Sequence, residues 1–238
     1  MWRDWPAWHC PACSEGALGL VKDTIRQEET AASKRARSDD DWRPWEVSEQ
    51  FSALLRCSRC KEPVFIVGAV SVTDLRDDEH GWYTAEVFAP SFFQPPSPVI
   101  RLPRKCPDTV KSEVLAASGL YWSSPPSAAN RIRAALERLM DALDVAKKAK
   151  NKKGKFDALS LHARIERFHQ KNAEVGGLLL AIKWLGNSGS HSSDLTSNDV
   201  LDAFELLEHA LEEVYESKAT RLKMLSASIN KKKGPAKR

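Results

Sequence analysis

The chain has 238 residues, 42% hydrophobic and 29% charged, proportions ordinary for a globular protein that buries a core. Its longest apolar runs, residues 64–70 and 176–182, fall far short of the roughly 20 residues that cross a bilayer. The first residues lack the basic-then-apolar order of a secretion signal, so a soluble, cytoplasmic protein with no membrane partner is expected. Net charge is +4, but residues 218–238 carry eight basic side chains and no acidic one, which leaves −4 on the rest. That is a mildly acidic body with a basic tail, not a uniformly basic nucleic-acid-binding face.

In chain order, residues 16–21 read as a short strand. Residues 23–46 are charged, aperiodic and expected to form a long loop. Residues 51–56 and 64–72 are rich in β-branched and apolar types, as strands are. Residues 77–81 read as a turn, and 82–88 alternate as a strand does. Six of the 13 prolines fall at positions 90, 95, 96, 98, 103 and 107. Proline lacks an amide hydrogen and restricts its neighbour, so residues 90–107 read as an extended linker and the domain boundary.

Beyond it the periodicity becomes helical. A helix is expected over 108–121. Ser124-Pro125 reads as a cap followed by proline at the first helical position. After it Ile132, Ala135, Leu136, Leu139 and Leu143 share a face at spacings of three and four. Residues 147–155 form a basic break containing Gly154. Two more helices are expected over 156–170 and 173–185. Thr196-Ser-Asn-Asp199 matches a capping box ahead of a stripe made by Val200, Phe204, Leu207, Leu211 and Val214. Five amphipathic helices with short connections make a bundle, and residues 230–238 read as a low-complexity end. The expected fold class is α+β: a β module over 1–89, the linker over 90–107, an all-α bundle over 108–220 and a basic tail over 221–238.

The strongest chemical signal is Cys10-Pro-Ala-Cys13 with Cys57-Ser-Arg-Cys60. Two residues between cysteines let both thiolates of a tight knuckle reach one ion, and two knuckles complete a closed tetrahedron. Such a site is structural, and Zn2+ is the expected ion. The 43 residues between Cys13 and Cys57 exceed the usual ribbon separation, and the charged loop accounts for the excess. An odd cysteine count with paired spacing fits a reducing compartment, with Cys106 as a lone thiol. Trp2, Trp5 and Trp8 have two readings, a stacking platform for bases or buried packing area.

Two segments carry a family likeness: Ala128-Ala-Asn-Arg-Ile-Arg-Ala-Ala-Leu-Glu137 and Ala181-Ile-Lys-Trp-Leu-Gly-Asn-Ser-Gly-Ser-His191. Together they resemble the domain-of-unknown-function 4145 family, whose members carry an Arg-x-x-Leu-Glu helix and a later Gly-Asn-x-x-x-His turn. The likeness covers roughly residues 107–215, and an N-terminal zinc ribbon also occurs in that family. The family is similar to the HEPN superfamily of helical domains. Many of those are ribonucleases of bacterial defence systems that use an arginine and a histidine four to six residues apart, often across a dimer.

The resemblance implies a HEPN-like bundle, homodimerisation through it, and a link to anti-phage defence with a defence-system protein as partner. It points to His191 and Asn187 as site residues. Gly186, however, stands where the arginine would be, and the nearest upstream cation is Lys183, a point charge without the guanidinium fork. Arg164 and His169 have the spacing in a different helix. His191 and Asn187 can equally serve a helix stop.

The expected function is therefore a non-catalytic interaction or nucleic-acid-binding protein, with RNA or DNA as ligand. Its surface would draw on Trp2, Trp5, Trp8 and residues 35–37, and the basic tail would either add salt-sensitive affinity or merely solubilise. The alternatives are a metal-independent RNA endonuclease acting through His191, with Asn187, Lys183 or Arg164 on phosphate, and a structural dimer or scaffold.

Overall fold

The computed structural model describes residues 6–13, 15–77, 81–152, 154–191, 195–216 and 218–234, and omits the side chains at 44, 77, 187–191, 218–221, 223 and 224. The chain divides into two compact units. The first comprises Met1–Val99 with Ser118–Ser124, the second Ile100–Ala117 with Pro125–Arg238.

The first unit is an antiparallel sheet of β1 (Leu18–Leu20), β2 (Arg26–Glu29), β3 (Ser48–Cys57), β4 (Pro63–Asp77) and β5 (Gly81–Gln94). Its order is β1-β3-β4-β5, and β2 pairs with β3 beside β1. Alternation decides which face is buried. Phe51, Ala53, Leu55 and Cys57 of β3, with Val64, Ile66 and Val70 of β4 and Phe88 and Phe93 of β5, point into one core. Their neighbours Phe65, Val67 and Phe92 stay exposed, as the two-residue period of a half-buried sheet requires. Val67 pairs with Phe92 and Gly68 with Pro90, so Ser91 is bulged out. At that bulge a Cβ on Gly68 would strike Ala89 O and the Phe51 ring.

The polar stretch 23–46 is not a loop throughout. It holds β2, the helix α1 (Ala31–Ala36) and a 3-10 turn at Pro44–Glu46. β2 has no apolar signal of its own; it forms because the free edge of β3 needs partners, and Arg26 to Glu29 pair there with Ser52 to Glu49. Thr30 caps α1 by accepting from Ser33 N–H at 3.1 Å. Arg37 forms a 2.8 Å ion pair with Glu29 and lies over the Trp42 ring.

The expected linker also differs. Its first five residues complete β5, an edge strand, and Pro90 lies at the bulge opposite Gly68, a position where proline is tolerated. The rest is bound within each unit: Ser97 Oγ donates to His9 O at 2.9 Å, while Arg101 N–H donates to Glu208 at 2.7 Å.

The second unit contains α2 (Asp108–Tyr121, its last turn grouped with the sheet), α3 (Pro125–Ala142), β6 (Lys148–Lys150), β7 (Phe156–Ala158), α4 (Leu161–His169), α5 (Ala173–His191), α6 (Ser197–Tyr215) and α7 (Lys218–Lys232). The predicted stripes are its core: Ile132, Ala135, Leu136 and Leu139 of α3 and Val200, Phe204, Leu207 and Leu211 of α6 are all buried. The capping box at Thr196 and Asp199 is formed reciprocally.

Three expectations change here. Residues 156–158 pair with β6 as a hairpin, so α4 starts only at Leu161, capped by Ser160. α5 does not stop at Gly186-Asn187 but continues to His191. Gly186 is buried where α5 packs on α3, and a Cβ on it would make only an ordinary contact, 3.5 Å from Ala129 O, so the packing of α5 on α3 carries the helix past a residue that locally signals a stop. The tail expected over 221–238 is helical as far as Lys232.

Candidate metal centre

The β3–β4 hairpin builds one knuckle and the segment before β1 builds the other. Cys57 N–H donates to Glu62 O at 3.0 Å, closing the first knuckle. In the second, Cys10 N–H donates to Gly16 O at 3.0 Å, and His9 bridges to Ala17. The two are joined where Ser58 N–H donates to Ala17 O at 2.9 Å and Ala17 N–H to Ser58 Oγ at 3.2 Å. β1 pairing brings Leu18 opposite Cys57, so strand register sets the separation of the thiols. The 43 residues between Cys13 and Cys57 leave and return on the sheet without disturbing this junction.

The four sulfurs of Cys10, Cys13, Cys57 and Cys60 all lie within 4.8 Å of one another. Cys10 Sγ is 3.5 Å from Cys60 Sγ, and Cys13 Sγ is 3.7 Å from Cys57 Sγ. A tetrahedron with metal–sulfur bonds of about 2.3 Å has edges of about 3.8 Å. A disulfide would need about 2.05 Å. The cluster therefore has the dimensions of a metal-thiolate site, and four protein donors leave a tetrahedral ion no open position.

Backbone amides aim at the sulfurs: Ala12 N–H at Cys10, and Arg59 and Cys60 N–H at Cys57, each at 3.4 Å. Burial works against the Cys57 thiolate, but the amides of Cys60 and Arg59 outweigh it and hold the thiol at about 6. Burial pushes the Cys10 thiol up to about 12 despite its own amides. A bound cation would bring such thiols to thiolate. Gly16 is required here, because a Cβ on it would run into Cys57 Sγ. Glu15 pairs with Arg59 across the two knuckles.

Trp8 lies against this core with its ring 5.1 Å from Phe93 and 6.4 Å from Trp122, so it is packing area. Trp2 and Trp5 lie outside the described residues. Cys106 is not among the clustered thiols; it is buried in the helical unit, where burial pushes its thiol up to about 11.

The helical unit does not gather its candidate residues in one visible site. The backbones of Asn187 and His191 are in the last turns of α5, and their side chains lie outside those described. Lys183 is buried, its Nζ 3.4 Å from the Trp184 ring centroid. Arg164 is buried too. It donates to Asp141 Oδ1 at 2.7 Å and to Val145 O at 2.9 Å, so its guanidinium ties α4 to the end of α3. The described lysines of 147–155, read from the sequence as a basic break and not as a site, are exposed around β6 and β7, with Asn151 and Gly154 at the turn.

Comparison with known proteins gives two family matches. Residues 116–232 match the family described as a domain of unknown function, DUF4145, and residues 2–93 match a second, also a domain of unknown function, DUF8608. No curated protein and no solved structure matches the chain. Among the described residues, no helix is long and apolar enough to cross a membrane.

Proposed function

We propose that this protein is a non-catalytic nucleic-acid-binding protein, in which one Zn2+ held by Cys10, Cys13, Cys57 and Cys60 staples a ribbon-like sheet and a HEPN-like helical unit carries the binding surface. Four soft donors at tetrahedral spacing favour zinc, and a closed site holds structure together and does no chemistry on a substrate.

The observation that carries the binding role is charge segregation. Residues 218–238 hold eight cations and no acid, against −4 on the remainder. Cations concentrated on one segment release counterions from phosphate on binding. Against cutting stands the disposition of the other cations: Gly186 occupies the arginine position of the HEPN pattern, Arg164 is engaged by Asp141, and Lys183 is buried. Resemblance to defence-associated domains makes phage or host nucleic acid the natural ligand.

A second reading, a dimer or scaffold subunit, is favoured by one observation. Leu222, Leu225 and Ile229 lie three and four residues apart on α7 and are exposed, an apolar stripe that a partner helix would cover.

The test is zinc-loaded full-length protein incubated with labelled single-stranded RNA and duplex DNA, scored for retention and cleavage, beside His191→Ala. Retention that weakens with salt, without cleavage, is expected. Cleavage lost in His191→Ala would make the protein a nuclease. If neither nucleic acid is retained, the binding role fails, and sedimentation would then test the dimer.

A further inference from the structure

The β6–β7 hairpin joins α3 to α4 and presents most of its side chains to solvent. Lys148, Lys150, Lys152, Lys155, Phe156, Asp157 and Ala158 are all exposed. A three-residue ribbon without a buried face is marginal alone, and six lysines among residues 147–155 repel one another. Neither the lysines nor the 65% exposed Phe156 is explained by folding.

Strand register sorts these side chains. Lys150 is opposite Phe156 and Lys148 opposite Ala158, while Ala149 is opposite Asp157. Cross-strand partners share a face, so Lys148, Lys150 and Phe156 lie together and the lone carboxylate lies on the other side. Asp157 also accepts from Asn151 Nδ2 at 2.9 Å. Lys147 is paired with Asp141 at 2.9 Å and is not counted among the cations offered. Lys150 Nζ sits 5.6 Å from the Phe156 ring centroid, so charge and aromatic face adjoin. At the foot of the hairpin, an open groove of about 600 Å³ is lined by Val145, Ala146, Phe168, Arg167, Lys171 and Asp144, two cations against one carboxylate.

We propose that this hairpin is a contact element for single-stranded nucleic acid, with Lys148, Lys150, Lys152 and Lys155 on phosphates and Phe156 stacked on a base. Lysines two residues apart on a strand are about 6.6 Å apart, the scale of neighbouring phosphates in an extended strand. An aromatic ring between them gives a surface that takes any base by its π-face. A duplex hides those faces, which is why a single strand is the occupant. The assignment rests on the nucleic-acid reading above and locates its surface away from α7.

The experiment measures affinity of the zinc-loaded full chain for oligouridylate, oligothymidylate and a duplex over a salt series. The variants are Phe156→Ala, Phe156→Trp and a quadruple Lys→Gln at 148, 150, 152 and 155. All positions are exposed, and an unchanged circular dichroism spectrum confirms folding.

Phe156→Ala is expected to weaken single-strand binding about tenfold at every salt concentration, with recovery in Phe156→Trp. The quadruple variant is expected to flatten the log K against log salt slope by about 3. RNA and DNA arms that respond alike mean base stacking and phosphate suffice; a response in one arm alone narrows the ligand to that polymer. Wild-type binding that neither variant alters overturns the hairpin assignment and leaves the binding role standing. Loss with the lysines but none with Phe156, equal on duplex and single strand, overturns it as well. A wild-type protein that binds none of the three overturns both.

Discussion

The sheet unit and the helical unit hold their folds by different means. Among the described residues the sheet unit buries eleven apolar or cysteine side chains, two of them cysteines of the cluster, while the helical unit buries twenty-four. A core of the smaller size leaves a sheet of this length marginal, and the four thiols sit where the segment before β1 meets the β3–β4 hairpin. The helical unit carries three stripes from α3, α5 and α6 on one another and needs no staple.

The comparison breaks most sharply at the cysteines. Cys57→Ser, or removal of metal by a chelator, is expected to unfold the sheet unit. Metal-coupled folding of small zinc modules is worth about 10–16 kcal/mol, more than a small core supplies. Metal analysis should fall from one zinc per chain, and the near-ultraviolet dichroism of Trp8 and Trp122 should collapse while the helical far-ultraviolet signal persists. Loss of both signals together would show that the units are not independent.

Phe204→Ala is the mirror variant. Phe204 is fully buried in α6, so truncation should cost the helical unit about 3–5 kcal/mol. A lowered helical melting transition with unchanged zinc content is the expected pair of readings.

Asp141→Asn leaves the buried Arg164 without its counter-charge, at a cost of about 3 kcal/mol near neutral pH. Burial opposes the Asp141 carboxylate, but hydrogen bonds from Lys147 and Arg164 outweigh it and hold its pKa below the ordinary value. A carboxylate depressed on folding stabilises fully above its unfolded pKa of about 3.9, and that contribution is lost as pH falls through the folded value. Urea unfolding at about pH 7 and about pH 3 should therefore show a smaller acid loss in Asp141→Asn than in the wild type.

The smallest effect is Thr196→Ala. It removes the Thr196 hydroxyl that accepts from Asp199 N–H at 3.2 Å, while the backbone N–H of residue 196 still donates to the Asp199 carboxylate; the loss should cost about 1 kcal/mol, recovered by Thr196→Ser. The measurement is the same helical melting transition.

These residues also mark what could be read in advance. The four-cysteine cluster was legible because two residues between cysteines is a local geometry, independent of the rest of the chain. The α3 and α6 stripes were legible because burial on one side of a helix imposes a period on the sequence, and Thr196 and Asp199 because capping is settled within four residues. β2 was not legible: its polar residues pair only because β3 offers an edge. α5 ran past Gly186 for a similar reason: a glycine that marks a stop locally is held helical where α5 packs on α3. Arg164 and His169 had the spacing of a catalytic pair in a different helix, and only the fold shows that Asp141, distant in sequence, takes the Arg164 guanidinium.

By itself, then, the order of residues determined which thiols could meet, which faces of α3 and α6 would be buried and where those two helices would begin, because knuckles, periods and caps are set by neighbours a few residues apart. Only the tertiary structure decided which strand edges were filled, where α5 ended, which cations were consumed in ion pairs and which, on the β6–β7 hairpin, stood together on one face. Those outcomes depend on partners far away in sequence, and strand pairing, close packing and charge pairing are determined only when the chain has brought those partners together.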